Sequence, residues 1–163
     1  GMAALNNKVF FILSDTSKPS QQFNIRLKVW SEVPAIPVLY SKIKLCPVGL
    51  TEKLYVYQKM GVLTNMPELD LKTLTWKSIN IKASVGWYDL IELPGTSSMI
   101  YVNSSSKVIR IDPDAQTVCE LGEVNSTYIR FYFVHEESLI YNSDEGREIT
   151  MNHSYVHALS PRP

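Results

Sequence analysis

Apolar and polar residues alternate along most of this chain in short runs, and turn residues interrupt the runs about every 8 to 12 positions. Residues 8–13 form one apolar run, and the runs 99–102 and 108–111 flank the polar stretch 103–106. Alternation at period two with many β-branched and aromatic residues is typical of strands, and two such runs around a short polar stretch predict a β hairpin. Only 147–159 fits a strand and a short helix equally well. The sequence therefore predicts an all-β fold.

The stretch 54–79 shows this pattern most fully. A strand-like run at 54–57 leads through a polar connection to a second set of apolar positions that includes Trp76. Within that second set, 70–76 predicts a compact turn that ends in a large aromatic residue. Residues 23–30 fit both period two and one helical face, and we interpret them as one strand because β-branched residues hold two of the alternating positions and prolines follow.

Large aromatic residues recur at spacings that indicate a repeat. Strand aromatics are separated by 45, 46 and 40 positions, at Phe10, Tyr55, Tyr101 and Tyr141. Trp30 and Trp76 lie 46 positions apart, and Val118 holds the comparable place 42 residues later. Periods of about 40 to 50 are those of propeller blades. The sequence predicts a β-propeller-like array of about four strand-turn-strand units, with an antiparallel β-sandwich or barrel as the alternative.

The spacing around the tryptophans resembles the kelch-repeat β-propellers. A kelch unit carries an aromatic-containing strand, a loop, a second strand ending in Tyr-Asp or a similar pair, and a tryptophan six positions after the acid. Asp70 with Trp76 fits this spacing, Asn24 with Trp30 fits it with Asn for Asp, and Asp112 is followed at that distance by Val118. The glycine doublet that follows the first strand in the family is absent from every unit. We expect Trp30 and Trp76 to be buried equivalents in successive units.

The resemblance implies a protein-interaction module, because kelch propellers commonly recognise protein partners, including cytoskeletal proteins and substrates presented to ubiquitin ligases. A binding site would then lie on loops at one end of the sheets, where 59–66 and 103–107 belong. The candidate partner-binding residues are Lys59, Met60, Asn65, Trp87, Tyr88, Asn103 and Lys107. Two other classes stay open: an extracellular β-sandwich that binds carbohydrate or a surface protein, favoured if the glycosylation sequons at Asn103, Asn125 and Asn152 are occupied, and a small-ligand β-barrel.

Length and charge narrow the choice of partners. At 163 residues the chain fits one domain, which we place at 1–159 with a frayed tail at 160–163. Sixteen basic and sixteen acidic residues cancel, so we expect no nucleic-acid partner, and no apolar run is long enough to span a bilayer, so we expect no membrane partner. Gly1 before Met2 is the kind of residue that tag removal leaves, which fits a chain cut from a longer protein.

The cysteines and histidines do not form the sequence motif of a metal site or of an enzyme active site. Cys46 and Cys119 lie in strand-like apolar settings, so we expect both thiols to be reduced and buried and the protein to be cytoplasmic, with an extracellular location as the alternative. His153 and His157, four positions apart, have no further ligand at a matching interval, so we expect no metal site. Since phosphate-binding and nucleophile motifs are missing as well, we expect no cofactor and no enzymatic activity.

The apolar run 8–13 also bears on whether the chain associates with a second copy or a further segment. The run 8–13 is rich in β-forming residues and uncharged after Lys8, so we expect it to be a sheet edge open to pairing. An open edge of this kind predicts a homodimer or a missing companion segment that covers it.

Overall fold

The computed structural model describes residues 1–58, 61–85, 89–124, 129–135, 138–143 and 148–151. The first sheet contains β1 (Met2–Leu5), β2 (Lys8–Phe11), β3 (Ser20–Asn24) and β4 (Val29–Val33). The second contains β5 (Lys44–Val48), β6 (Lys53–Tyr57), β8 (Met66–Asp70) and β9 (Thr75–Ile79), and a separate short pair joins β7 (Gly61–Leu63) to β10 (Ala83–Val85). The third contains β11 (Ile91–Glu92), β12 (Met99–Val102), β13 (Lys107–Asp112) and β14 (Thr117–Glu123). The remaining described strands, β15 (Ile129–His135), β16 (Ser138–Ser143) and β17 (Glu148–Met151), form a three-stranded sheet.

The prediction of an all-β fold with repeated units is confirmed. Each of the three four-stranded sheets is antiparallel, with its strands in chain order from first to fourth, as in the blades of a propeller. The first strands of successive sheets adjoin, because β5 lies against both β1 and β11, and β11 lies against β15. The described strands form separate sheets and not one closed sheet, which distinguishes this arrangement from the barrel alternative.

The same turn connects the third strand to the fourth in all three sheets. The last residue of the third strand, Asn24, Asp70 or Asp112, accepts a hydrogen bond at Oδ1 from the backbone N–H three positions later, of Leu27, Thr73 or Ala115. The next residue, Lys28, Leu74 or Gln116, has a positive φ that reverses the chain. Asn and Asp favour this geometry because their short side chains can satisfy nearby backbone donors. The turn predicted at 70–76 is therefore confirmed.

The strand pairing also confirms that Trp30, Trp76 and Val118 are equivalent. Each lies opposite the residue that precedes the turn-forming Asn or Asp: Phe23 faces Trp30, Leu69 faces Trp76, and Ile111 faces Val118. The interpretation of 23–30 as one strand is wrong for the same reason. Residues 25–28 form the turn, and the chain returns as a separate strand.

Two apolar clusters hold the sheets together. One joins Phe10, Ile12, Val33 and Ile36 of the first sheet and its exit to Leu54, Val56 and Leu69 of the second. The other joins Tyr55, Tyr57 and Met66 of the second sheet to Met99, Tyr101, Ile109 and Ile111 of the third. Successive side chains of a strand point to opposite faces, so β6 is buried on both sides. This explains why 54–57 is continuously apolar and does not alternate.

The expectation that both tryptophans are buried is wrong for Trp30 and only partly correct for Trp76. Trp76 is half-buried against the first cluster, and its Nε1–H donates a hydrogen bond to the carbonyl of Pro34 at 2.9 Å. Trp30 is 56% exposed. The difference arises because the face that carries Trp76 packs on the preceding sheet, whereas no described sheet packs on the corresponding face of the first sheet.

One aromatic in the proposed series also lies on the wrong face. Phe10 and Tyr55 pair with Gln22 and Glu68, the residues that directly precede Phe23 and Leu69, so they are equivalent. Tyr101 pairs with Ile109 and not with Arg110, and it packs toward the preceding sheet. A shift of one residue turns a strand side chain to the opposite face. The spacing of 46 between Tyr55 and Tyr101 is therefore not the structural period.

The first sheet also corrects the prediction about its edge. The run 8–13 contributes β2, which pairs with β1 on one side and β3 on the other, so it is not a free edge. Residues 2–5, which we did not predict as a strand, form β1, and the two positive-φ residues Asn6 and Asn7 make the tight turn into β2. The tail at 160–163 and most of 147–159 lie outside the described residues.

Candidate functional site

The two ends of the sheets are built differently. The second-to-third strand connections 12–19, 58–65 and 103–106 leave from one end of each sheet, and the connections 34–43 and 80–90 arrive there from the sheet before. We call this the loop end. The opposite end carries the short turns at 6–7 and 49–52 and the repeated turn described above, whereas the loop end has one short turn among the described residues, at 103–106. Because longer connections can vary without breaking strand pairing, binding residues are expected at the loop end.

A cleft opens at the loop end, where β1 and β5 begin. It has a volume of about 310 Å³ and is lined by Gly1, Met2, Ile43, Lys44, Leu45, Tyr57 and Asp89. The lining residues come from the starts of two first strands, the end of β6 and the connection that precedes β11. The fold therefore brings together positions that are up to 88 residues apart in the sequence.

Tyr57 is a buried residue in the lining of this cleft, and its hydroxyl group has two hydrogen-bond partners. The hydroxyl donates to Asp89 Oδ1 at 3.1 Å and accepts from the backbone N–H of Leu90 at 3.0 Å. Burial, and then the negative charge of Asp89, raise the pKa of Tyr57. The side chain is thus held as a neutral hydroxyl that fixes Asp89 against the second sheet.

Lys44 and Asp89 place opposite charges at the mouth of the cleft. Lys44 Nζ lies 3.8 Å from Asp89 Oδ1, and the two side chains are 49% and 48% exposed. An exposed ion pair of this length contributes little to stability, typically about 0–1 kcal/mol. Each of the two charged groups therefore keeps about half of its side-chain surface in contact with water.

The structure describes three of the predicted partner-binding residues. Asn65 is exposed at the end of the 58–65 connection, and its carbonyl accepts a hydrogen bond from the Tyr40 hydroxyl at 3.0 Å. Asn103 shapes its own turn, since its Oδ1 accepts from the N–H groups of Ser105 and Lys107. Lys107 Nζ bonds to Glu120 at 2.9 Å, and this contact raises the pKa of Lys107. None of these three lines the cleft.

The other four candidates, Lys59, Met60, Trp87 and Tyr88, lie outside the described residues. Sequence reasoning missed Lys44, Tyr57 and Asp89. The signal for Asp89 was weak but present, because it is an acidic residue that directly follows the Trp87-Tyr88 pair and interrupts an apolar run. In the sequence, Tyr57 and Lys44 look like ordinary strand residues. Only the pairing of β5 with β6 shows that they lie opposite each other.

A second polar cluster, centred on the buried Glu68, lies between the second and third sheets. Glu68 is 1% exposed, and its Oε1 lies 3.4 Å from Lys53 Nζ and 3.2 Å from Lys77 Nζ. Lys53 also bonds to Asp114, on the repeated turn of the third sheet, at 3.0 Å. The Tyr55 hydroxyl lies buried beside these groups without a hydrogen-bond partner among the described residues. The contact between Lys53 and Asp114 ties the two sheets together.

The buried hydroxyl of Tyr55 gives an expected alkaline instability. Burial, and then the charge of Glu68, raise the pKa of Tyr55 in the folded protein. The unfolded residue ionises at a pH of about 10, so its contribution to stability is full below that pH and is lost as the pH rises further. We expect Tyr55→Phe to flatten the fall in unfolding free energy above a pH of about 10, measured by urea unfolding across that range. An unchanged pH slope in the variant would contradict this assignment.

The two cysteines are both free, but they differ in burial. Cys46 is buried in the second cluster, where burial raises the pKa of its thiol, and Cys119 is exposed on β14. The expectation that both thiols are buried is therefore wrong for Cys119, because β14 is the fourth strand of its sheet and leaves much of its surface open. Throughout the described ranges, no three His, Cys, Asp or Glu side chains form a group that could hold a metal ion. The described residues likewise include no helix of the length and apolarity required to cross a bilayer.

Comparison with known proteins supports the fold and goes no further. No protein-family model and no curated protein matches the chain, so the kelch resemblance stands on the turn and tryptophan spacing alone. Among solved structures, the chain is similar to an auxiliary nutrient binding protein from Bacteroides thetaiotaomicron, with a TM-score of 0.56 and 12% sequence identity. The similarity covers 84% of this chain and 33% of that one, so the chain spans about a third of the length of its structural neighbour. At this identity the likeness concerns the all-β fold of blade-like sheets.

Proposed function

We propose that this chain is a ligand-binding module of propeller type and that a polar group of the ligand occupies the loop-end cleft. The observation that carries this proposal is the cleft of about 310 Å³ with an oriented carboxylate, Asp89, and an ammonium group, Lys44, at its mouth. This volume is at the lower limit of small-molecule sites, in which a few polar groups of fixed direction orient the ligand. Ile43 and Leu45 supply apolar wall, and Tyr57 fixes the direction of Asp89.

The chemistry of the cleft favours a small polar solute. A hydroxyl or ammonium group on the ligand would donate to Asp89, while an acceptor oxygen would take a hydrogen bond from Lys44. The structural neighbour from Bacteroides is described as a nutrient binding protein, which supports a small-molecule ligand as the class to test first.

A second candidate is recognition of a protein partner by a kelch-like propeller. Its support is the repeated turn with tryptophan at kelch spacing, together with the exposed Asn65 beside the cleft end of the sheets. A protein partner would cover the loop end and place one side chain or chain terminus in the cleft. The two candidates share the cleft and differ in the size of the surface that becomes protected on binding.

The test is calorimetric titration with a panel of monosaccharides, amino acids and short peptides, repeated with two variants. We expect any binder to lose at least about tenfold in affinity with Asp89→Asn, equal to about 1.4 kcal/mol, and with Lys44→Met. Lys72→Met is the matched control, because Lys72 forms an exposed ion pair with Glu52 at the opposite end of the same sheet. Binding that survives both cleft variants would show that the ligand sits elsewhere. Binding of peptides alone would favour the protein-partner candidate.

A further inference from the structure

The first sheet carries an open apolar face, which we call the outer face and define by Val9, Phe11, Phe23 and Trp30. These residues share one side of the sheet, since Val9 pairs with Phe23 and Phe23 pairs with Trp30. The indole ring of Trp30 lies 4.9 Å from the ring of Phe23 and 5.3 Å from that of Phe11, measured between centroids. Trp30 is 56% exposed, so the three rings form one contiguous aromatic surface in contact with water.

In the next two sheets, the residues equivalent to Phe23 are covered. Leu69 and Ile111, which correspond to Phe23, have no exposed surface, because the preceding sheet packs on each of them. Trp76, which corresponds to Trp30, is half-buried and bonded to the preceding sheet's exit through Pro34. The outer face thus has the composition of a sheet-packing surface, but no described sheet lies against it. On the third sheet, the equivalent of Trp30 is Val118, which is 37% exposed.

Charges at the two ends of β4 indicate how a partner sheet would lie. Glu32 shares the outer side of the sheet with Trp30 and is exposed at one end of the strand. Arg26 and Lys28 are exposed in the turn at the other end. Within the part of the chain that the structure describes, none of these three side chains has an ion-pair partner. Two copies of the strand placed antiparallel would bring Glu32 of each copy to the basic turn of the other.

We propose that the outer face is the contact surface between two copies of this chain, packed sheet on sheet about a two-fold axis. A two-fold contact uses the same patch on both copies and so requires a self-complementary surface, which the opposite charges at the ends of β4 provide. The formal net charge of zero means that the copies do not repel each other overall. The contact uses the face of the first sheet and not the edge of β2, which is already paired.

Sedimentation equilibrium of the chain from low micromolar to submillimolar concentration tests this proposal. We expect a monomer–dimer equilibrium in the unaltered chain and at least a tenfold higher dissociation constant for Trp30→Asp, equal to about 1.4 kcal/mol. Leu50→Asp is the control: Leu50 is exposed at the tight-turn end of the second sheet, and its replacement leaves the dissociation constant unchanged. Circular dichroism checks that both variants keep the β fold.

A charge exchange tests the two-fold arrangement separately. We expect Glu32→Lys to weaken the dimer and the triple variant Glu32→Lys, Arg26→Glu, Lys28→Glu to restore it. A chain that stays monomeric over the whole range overturns the proposal, as does a dimer that Trp30→Asp leaves intact. Failure of the triple variant to recover overturns the antiparallel arrangement.

Discussion

Replacing Leu69 with Ala is expected to lower the free energy of unfolding by about 3 to 5 kcal/mol. Leu69 has no exposed surface and packs between the first two sheets, against Phe10 and Leu54. Truncation removes apolar contacts with both sheets at once and leaves a cavity that two hydrogen-bonded sheets cannot easily close. Urea unfolding followed by circular dichroism measures the loss. Natural domains unfold with a free energy of about 5 to 15 kcal/mol, so the expected loss is a large fraction of the total stability.

Leu50→Ala provides the matched control for this prediction. Leu50 belongs to the same sheet but is 63% exposed in a turn, so the same chemical change should alter stability by no more than about 0.5 kcal/mol. A loss below about 1 kcal/mol for Leu69→Ala would mean that the first two sheets do not pack on each other as described.

Replacing Lys53 with Met is expected to cost about 3 kcal/mol. The substitution keeps an apolar chain of similar length but removes the ammonium group that lies 3.4 Å from the buried Glu68 and 3.0 Å from Asp114. Glu68 would then be a buried carboxylate whose remaining cation, Lys77, is 60% exposed and screened by water. A buried charge without a partner destabilises the folded state, because it loses its hydration on folding and gains no ion pair in exchange.

A double-mutant cycle separates this effect from loss of packing. Adding Glu68→Leu to Lys53→Met removes the stranded charge, so the double variant should recover a substantial part of the lost stability. Lys77→Met, which removes the exposed partner, should cost less than about 1 kcal/mol. Strictly additive losses in the cycle would show that Lys53 and Glu68 do not interact.

The repeated turn could be predicted from sequence because its chemistry is local. In each sheet the side chain of one Asn or Asp accepts hydrogen bonds from backbone N–H groups two or three residues later, at Asn24, Asp70 and Asp112. The turn therefore has a fixed length. This fixed length explains why the residue six positions later, Trp30, Trp76 or Val118, is equivalent in each sheet. The continuous apolar run of β6 could likewise be identified as a strand without knowing what covers it. Neither feature depends on the order of the sheets.

The exposure of Trp30 and the position of the cleft could not be predicted, because both depend on contacts between sheets. Trp30 and Trp76 follow the same turn, but Trp76 packs on the first sheet and its exit, whereas no described sheet packs beside Trp30. The cleft brings together Lys44, Tyr57 and Asp89 at the loop end. Lys44 and Tyr57 belong to the second sheet, and Asp89 lies in the connection that leads to the third sheet. Tyr101 shows the related difficulty within a sheet, where a shift of one residue in pairing changes the face while the sequence spacing looks unchanged.

The unequal burial of the two thiols gives the protein a single addressable position for chemical labelling. Thiol-directed fluorophores and spin labels react with the thiolate form, and both burial and a raised pKa withhold that form at Cys46. Cys119 is exposed on the fourth strand of the third sheet, remote in the sequence from every residue that lines the cleft. A probe attached there would report on the third sheet without any substitution in the chain.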